Sequence, residues 1–401
     1  MTQNISAGDH APHDPPGTPE TGTGQDPALS PNPAPERYVL LSSPASLLAI
    51  VPVLLGFQPA SSMVIIGTEG PRAEVRLTLR YDLPEPPDRE IAADIARHAI
   101  GVLNAQRIEA AVAVGYGPGH LVTPVADSFR ERAGHAGVQV TELLRVENER
   151  YWSYLCAEPD CCPPGGTPFD VTDHPATLAM ASAGTQVLAS RAELAATIAA
   201  VEGKAAESMH RATRRAEEHA ARLLARVART RRRASARRLI AVAGLDAVSA
   251  VIAHYRRGGQ FRSCDEAAWL TVVLRDLRVR DDAWSRMDPR HREAHLRLWA
   301  DLTRRARPGY VSAPASLLAF VAWQSGNGAL ANVALDRALA DDPQYSMALL
   351  LRQVIDSGAP PSMARLPMTP EEVAASYDEM EDPDQDDLGD QGGLRVRSTT
   401  R

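Results

Sequence analysis

The sequence predicts an α/β domain, a mixed sheet covered by helices, followed by an all-α helical domain. Two observations support this prediction. Between residues 43 and 155, short strand-like runs alternate with amphipathic helical runs, as in a sheet covered by helices. From Pro175 onward, nearly every segment has apolar residues at helical spacing.

The chain is expected to have four parts. Residues 1–36 are rich in Pro, Gly and Thr with almost no large apolar residue, and the residues from about 370 onward are strongly acidic. Such segments bury too little apolar surface to offset the entropy of ordering. We therefore expect a disordered arm at 1–36, the α/β domain at 37–200, the helical domain at 203–366 and an acidic disordered tail at 367–401.

The elements of the α/β domain follow from local signals. Ser43-Pro44 fits a helix start, and Gly56 fits a left-handed C-terminal cap. Alternation of apolar residues predicts a pair of strands joined by a turn, followed by further strands and helices. The predicted strands are 62–67, 74–81, 108–114, 138–146 and 150–155, and the intervening helices are 88–103 and 121–133.

Two signals describe the helical domain. Ser190 and Glu193 fit a capping box, ahead of a long helical run at 203–250. Near the end, a helix and a Gly-Asn-Gly turn precede apolar residues spaced as in the second helix of a tetratricopeptide repeat. These residues are Ala331, Leu335, Ala338 and Pro343. A repeat array needs about three units, so we predict one tetratricopeptide-like helical hairpin within a bundle.

Composition excludes several classes of protein. A net charge of -7 argues against a dedicated nucleic-acid coat, and four cysteines in 401 residues are too few for a disulfide scaffold. With no signal-peptide pattern at the start, we expect a cytoplasmic protein. The uncharged stretch at 38–66 is divided by Pro44, Pro52 and Pro59, so no membrane span is expected.

Three cysteines, Cys156, Cys161 and Cys162, lie within seven residues of sequence directly after a predicted strand. Thiolates bind zinc and iron-sulfur clusters strongly, and His174 or Cys264 is the predicted fourth ligand of a zinc site. Two alternatives stay open. The loop is packed as small hydrophobes, or Cys156 pairs with Cys161 or Cys162 in a redox role.

The segment from Gly115 to His120 follows a central strand and precedes a helix, where α/β sheets often bind phosphate. Its third glycine comes too early for a dinucleotide fingerprint, and Pro118 removes one backbone donor. A plain strand-to-helix turn is therefore the favoured interpretation.

His291 and His295 lie four residues apart, as the two histidine ligands of a zinc protease do. Glu293 is misplaced for the general base of such an enzyme, so a solvated helix face is the favoured interpretation.

Residues 203–238 contain twelve Lys and Arg against three Glu. Five arginines at spacings of three and four form a stripe on one predicted helix: Arg222, Arg226, Arg229, Arg233 and Arg237. This stripe is a candidate surface for nucleic-acid phosphates, a membrane surface or an acidic partner protein. The alternative is a solvated face neutralised by the acidic tail.

Three segments carry a family resemblance: LLAIVPVLLGFQPASSMVIIG at 47–67, YWSYLCAEPDCCPPGG at 151–166 and PASLLAFVAWQSGNGALANVALDRALADDPQYSMALLLRQVIDSGAPP at 314–361. Together they resemble the actinobacterial domain-of-unknown-function family four-one-nine-two. The resemblance implies an actinobacterial origin and a cytoplasmic location. It implies no reaction, ligand or catalytic residue.

With no complete catalytic constellation, the sequence favours a non-catalytic interaction or regulatory protein with a protein partner. The first alternative is an enzyme or ligand-binding domain that uses the cysteines and the Gly115 to His120 turn. The second is a nucleic-acid-associated protein that uses the arginine stripe.

Overall fold

The computed structural model describes residues 43–71, 73–175, 177–178, 186–228, 233–363 and 368–380. The predicted disordered arm at 1–36 lies outside these residues, as does the tail from residue 381. Side chains are described for most of these positions, but not for 226–228, 233–238, 379 and 380.

The N-terminal part contains a mixed six-stranded sheet, as the sequence predicts. Its strand order is β2-β1-β3-β4-β5-β6, and only β3 and β4 pair in parallel. The parallel pair needs a crossover, which the helix α3 Gly119–Ala136 supplies. The strands are β1 Ser62–Glu69, β2 Glu74–Asp82, β3 Ala110–Tyr116, β4 Gln139–Glu147, β5 Arg150–Ser153 and β6 Thr167–Pro168.

Helices cover both faces of this sheet. Alternate residues of a strand point to opposite faces, so each central strand contributes apolar side chains to both layers. On β1, Met63 and Ile65 pack with the helices α2 and α3, whereas Val64 and Ile66 pack with α1. The cap of α1 is as predicted, since Gly56 has a φ of 75° and donates to the carbonyl oxygen of Val53. The helices are α1 Pro44–Leu55, α2 Arg89–Ala105 and α3 Gly119–Ala136.

Beyond the sheet the described chain is helical. Ser190 is the N-cap as predicted, because its Oγ accepts from the Glu193 amide, but the Glu193 carboxylate accepts from the amide of Ala189, one residue before the cap. The predicted long run at 203–250 is helical on both sides of residues 229–232, which lie outside the described residues, as α5 Gly203–Ala228 and α6 Arg233–Arg256. The helices are α4 Arg191–Thr197, α5 Gly203–Ala228, α6 Arg233–Arg256, α7 Cys264–Val273, α8 Leu277–Ser285, α9 Arg292–Arg305, α10 Ser312–Gln324, α11 Gly328–Asp341, α12 Ser346–Asp356 and α13 Pro370–Met380.

One apolar cluster joins the sheet to the helices. Val64 and Val114, on one face of the sheet, belong to the same buried cluster as Trp299 and Phe320 of the helical part. Burial of this much apolar surface is the main stabilising term in folding. The shared core ties the α/β part to the helical part.

The predicted helical hairpin consists of α10 and α11, which pack against each other. The Asn327 side chain caps α11 by accepting from the Leu330 amide, and the apolar positions Ala331, Leu335 and Ala338 are buried. The hairpin is therefore present. Its likeness to a tetratricopeptide repeat stays a prediction.

The expectation of disorder from residue 367 is wrong for α13. Val373 of this helix is only 4% exposed, and the Tyr377 hydroxyl donates to Asp281 of α8 at 2.6 Å. Arg278 of α8 also pairs with Asp378 at 2.9 Å. Acidic composition predicted a solvated segment, but one apolar stripe facing α8 is enough to hold the helix there.

By length and composition, one described helix could cross a membrane: α6, over Leu239–Arg256. Core helices pass the same test. Five of its side chains are buried in the protein core: Ala241, Val248, Val251, Ile252 and Tyr255.

Candidate metal centre

The three predicted cysteines converge on a surface loop between β5 and β6, here called the cysteine loop (residues 154–166). Their Sγ atoms, the thiol cluster, all lie within 4.8 Å of one another. Cys156 Sγ lies 3.1 Å from Cys161 Sγ, and Cys161 Sγ lies 3.4 Å from Cys162 Sγ. Cys161 is exposed, and the other two are partly buried.

Hydrogen bonds donated by the backbone amides of the cysteines bring them together. Ser153, at the end of β5, accepts from the Cys156 amide at 3.1 Å through its Oγ. The Glu158 carbonyl oxygen then accepts from the amides of both Cys161 and Cys162, at 3.2 and 2.8 Å. A short polar turn thus folds the four-residue spacer back on itself, so that the thiols meet on one side.

The far end of the cysteine loop is braced against β5. The Trp152 indole N–H donates to the carbonyl oxygen of Pro164 at 3.0 Å, and Arg150 donates to the carbonyl oxygen of Gly166 at 2.8 Å. Arg145 of β4 stacks on the Trp152 ring, 3.7 Å from its centroid. The loop is therefore held by contacts that require no metal.

The thiols share their protons unequally. The thiols of Cys161 and Cys162 stabilise the thiolate of Cys156 by hydrogen bonding and lower the pKa of Cys156. In turn, the hydrogen bond to Cys156 raises the pKa of Cys161, and the same interaction together with desolvation raises that of Cys162 to about 12. A bound cation would stabilise all three thiolates and release the remaining protons.

The geometry of the thiol cluster fits a tetrahedral metal ion. Zn–S bonds of about 2.3 Å place neighbouring sulfurs about 3.8 Å apart in a tetrahedral site. The sulfurs here lie at 3.1 and 3.4 Å, with every pair inside 4.8 Å, so small rotations about χ1 suffice. A disulfide would need an S–S distance of about 2.05 Å.

The prediction that His174 or Cys264 completes the site is wrong. Neither belongs to the thiol cluster. His174 Nε2 instead lies 3.4 Å from Ser46 Oγ of α1. Cys264 begins α7 behind its Ser263 cap, within the helical part. Sequence proximity suggested His174, but the turns after β6 take its side chain toward α1.

The turn from Gly115 to His120 is built for close packing. A Cβ on Gly115 would come within 2.2 Å of Val122 Cγ1, and Gly117 has a φ of 143°, which favours glycine. The preferred interpretation, a strand-to-helix turn, therefore accounts for both glycines. Gly119 faces the Arg145 guanidinium, which places this turn beside the β4 residue that stacks on Trp152.

The arginine stripe lies mostly outside the described residues. Arg222 on α5 is exposed, with its guanidinium 4.0 Å from Glu218. Arg226 on α5 and Arg233 and Arg237 on α6 have side chains outside that description, and all of Arg229 is outside it. The five do not lie on a single described helix, and their role as a nucleic-acid or partner surface stays a prediction.

The predicted solvated face at His291 and His295 is wrong for His295. His291 is exposed beside Asp288, but His295 is 1% exposed and lies 3.3 Å from the Arg256 guanidinium. Burial and, after it, the positive charge of Arg256 together lower the pKa of His295 to about 4. The i, i+4 spacing indicated one helix face, but His291 lies in the turn before α9, whereas His295 lies on the side of α9 that meets Arg256 of α6.

Two cavities lie in the helical part, away from the thiol cluster. A cleft of about 270 Å³ lies between α4 and α11 and is lined by Arg191, Asp336 and Arg337 among others. A second cavity, of about 200 Å³, lies between α8 and α13 and is lined mainly by apolar atoms, including those of Trp284.

The chain matches the family model described as Domain of unknown function (DUF4192) over residues 44–362. No curated protein and no solved structure matches it. The matched span includes α1, the sheet, the cysteine loop and the helical hairpin, which are the regions of the three segments that carried the resemblance. The chain therefore belongs to the DUF4192 family.

Proposed function

We propose that this protein is a non-catalytic regulatory or interaction protein whose cysteine loop binds one zinc ion. The observation that carries the proposal is the convergence of Cys156, Cys161 and Cys162 within 4.8 Å on one loop. Three thiols at this separation repel one another once ionised, and a soft or borderline cation relieves that repulsion.

Zinc fits this cluster better than a redox metal for a protein of this kind. Zinc has no redox chemistry and accepts irregular tetrahedral geometry, so it can order a surface loop without adding a reaction. All four cysteines are free thiols, which agrees with the cytoplasmic location that we propose, because that compartment keeps thiols reduced.

A regulatory or binding role is supported by what surrounds the thiol cluster. Among the described residues, the cluster contains no His, Asp or Glu positioned as a ligand or proton carrier. The cysteine loop is exposed from Ala157 to Cys161, so an ordered zinc loop would present a rigid surface to a partner protein. We expect zinc to act here by shaping that surface.

The test is metal binding by the intact reduced protein. We expect zinc to copurify and to bind with a stoichiometry near one, measured by elemental analysis and by competition with a chromophoric chelator. Cys156→Ser, Cys161→Ser and Cys162→Ser should each weaken zinc binding by at least ~100-fold, because loss of only the hydrogen-bond partner of a metal ligand costs about 10- to 100-fold.

Cys264→Ser is the matched control, since it removes a thiol outside the cluster and should bind zinc like the unaltered protein. Zinc content below about half an equivalent in the unaltered protein and in Cys264→Ser would contradict the proposal. So would a mass lower by two hydrogens in the isolated protein, because that result would identify a disulfide within the cluster.

A further inference from the structure

The thiol cluster supplies three ligands, whereas structural zinc sites take four. We propose that the metal held by Cys156, Cys161 and Cys162 keeps its fourth position open toward solvent, and that this position takes an imidazole nitrogen from outside the chain, such as a histidine of a partner protein. This inference rests on the zinc site proposed above and names what that site recognises.

The described part of the chain supplies three ligands to this site. Among the described residues, only these three cysteines form a group whose ligand atoms could share one metal ion. The two residues that sequence spacing offered as a fourth ligand are placed elsewhere: His174 beside Ser46, and Cys264 at the start of α7. A tetrahedral ion would therefore carry one ligand that the described protein does not provide.

One side of the cysteine loop is open to solvent. Ala157, Glu158, Pro159, Asp160 and Cys161 are all exposed. The cysteine loop is anchored from behind, by Trp152 on Pro164 and by Arg150 on Gly166, so the anchoring side is the one turned to the sheet. An incoming ligand can approach the ion from the exposed side without moving these contacts.

Charge selects the class of ligand. Three thiolates and one divalent ion leave a single net negative charge, and Glu158 lies close enough to act electrostatically on Cys156 and Cys161. Asp160 adds a second exposed carboxylate on the same loop. A further thiolate or carboxylate would add to this negative charge, whereas a neutral imidazole would not, and imidazole is a ligand that zinc accepts readily.

Cobalt substitution provides the test, since Co²⁺ is spectroscopically visible where zinc is silent. Intact reduced protein, under anaerobic conditions, would be titrated with Co²⁺ and then with free imidazole as the probe. We expect a sulfur-to-cobalt charge-transfer band from Co²⁺ alone, followed by a saturable shift of the visible d–d bands on addition of imidazole. Cys264→Ser should behave identically.

Three matched variants check for a ligand from within the chain: His174→Gln, Glu158→Gln, and the double change His10→Gln with His13→Gln in the N-terminal arm. We expect each to leave the cobalt spectrum unchanged. A lost or altered spectrum in any of them, or d–d bands that imidazole does not move, would overturn the open site.

A shift produced by 2-mercaptoethanol but not by imidazole would overturn the choice of donor. Absence of the charge-transfer band in the unaltered protein would remove the metal site itself, and with it both proposals. The outcomes thus separate failure of the open position from failure of the proposed function.

Discussion

The guanidinium carbon of Arg145 lies 3.7 Å from the centroid of the Trp152 ring. The two residues are direct partners across β4 and β5, and the same indole donates its N–H to Pro164 in the cysteine loop. Cation–π stacking of this kind contributes about 0.5–2 kcal/mol, depending on exposure. Through this pair, the sheet positions a loop that has little core of its own.

Gly166 packs directly against that indole and should tolerate no side chain. Its φ is 78°, and a Cβ there would lie 2.5 Å from Trp152 Cε2. We expect Gly166→Ala to lower the free energy of unfolding by about 2 kcal/mol, from backbone strain and overpacking together. Zinc affinity should fall at least ~10-fold as the loop shifts.

Gly165→Ala is the matched control for this change. Gly165 has open space where a Cβ would lie, and its φ is not in the left-handed region. Chemical denaturation and zinc competition should therefore separate the two variants. Equal behaviour of Gly165→Ala and Gly166→Ala would show that the contact with Trp152 does not hold the loop.

Gly115 should be required for packing of α3 on β3. Alanine there would drive a Cβ to within 2.2 Å of Val122, so we expect the free energy of unfolding to fall by about 1–3 kcal/mol. Gly134→Ala, at an open position on α3, should instead raise the free energy of unfolding by up to about 1 kcal/mol, because alanine has the higher helix propensity. Denaturant midpoints of the two variants measure both effects, and an unchanged midpoint for Gly115→Ala would contradict the packing role.

Buried His295 should make the protein sensitive to acid. Burial lowers the pKa of His295 to about 4 in the folded protein, whereas a histidine in the unfolded chain has a pKa near 6.5. Between these two pH values the unfolded chain binds a proton at this residue and the folded protein does not. The stability that neutral His295 contributes is therefore complete above pH 6.5 and is lost as the pH falls toward 4. At pH 4 the loss should be about 3 kcal/mol.

This contribution can be separated from the titration of carboxylates by comparing two variants. His295→Gln stays neutral at every pH, so it should lack this part of the acid destabilisation. His291→Gln changes an exposed histidine and should follow the unaltered protein. Urea unfolding from pH 7 to pH 4 gives the difference, and parallel curves for the two variants would count against the buried neutral imidazole.

Helix α13 should depend on Val373 for its attachment to α8. Val373→Asp places a charge at a 4% exposed position, and we expect α13 to detach at a cost of about 2 kcal/mol, with amide exchange across 370–380 at least ~10-fold faster. Ala375→Asp adds the same charge at an exposed position of the same helix and should leave exchange unchanged. Hydrogen exchange with mass spectrometry reports both, and similar exchange in the two variants would argue against an apolar anchor.

Local signals predicted much of the fold. Gly56 ends α1 in the left-handed conformation, and the Ser190 and Glu193 pair caps α4, because each signal acts within one turn of helix. Alternating apolar residues located β2, and a run that is apolar on both faces located β3, since a strand covered on both faces must be apolar throughout. The spacing of Cys156, Cys161 and Cys162 also predicted that these three thiols could meet on one loop.

Sequence alone therefore determined the order and type of most elements, the mixed sheet followed by helices, and which cysteines meet, because these depend on residues close together in the chain. Only the tertiary structure decided that His174 and Cys264 lie away from the thiol cluster, that His295 is buried, and that α13 packs on α8. Each of these depends on which distant surfaces meet in the folded core, and spacing along the chain carries no information about that.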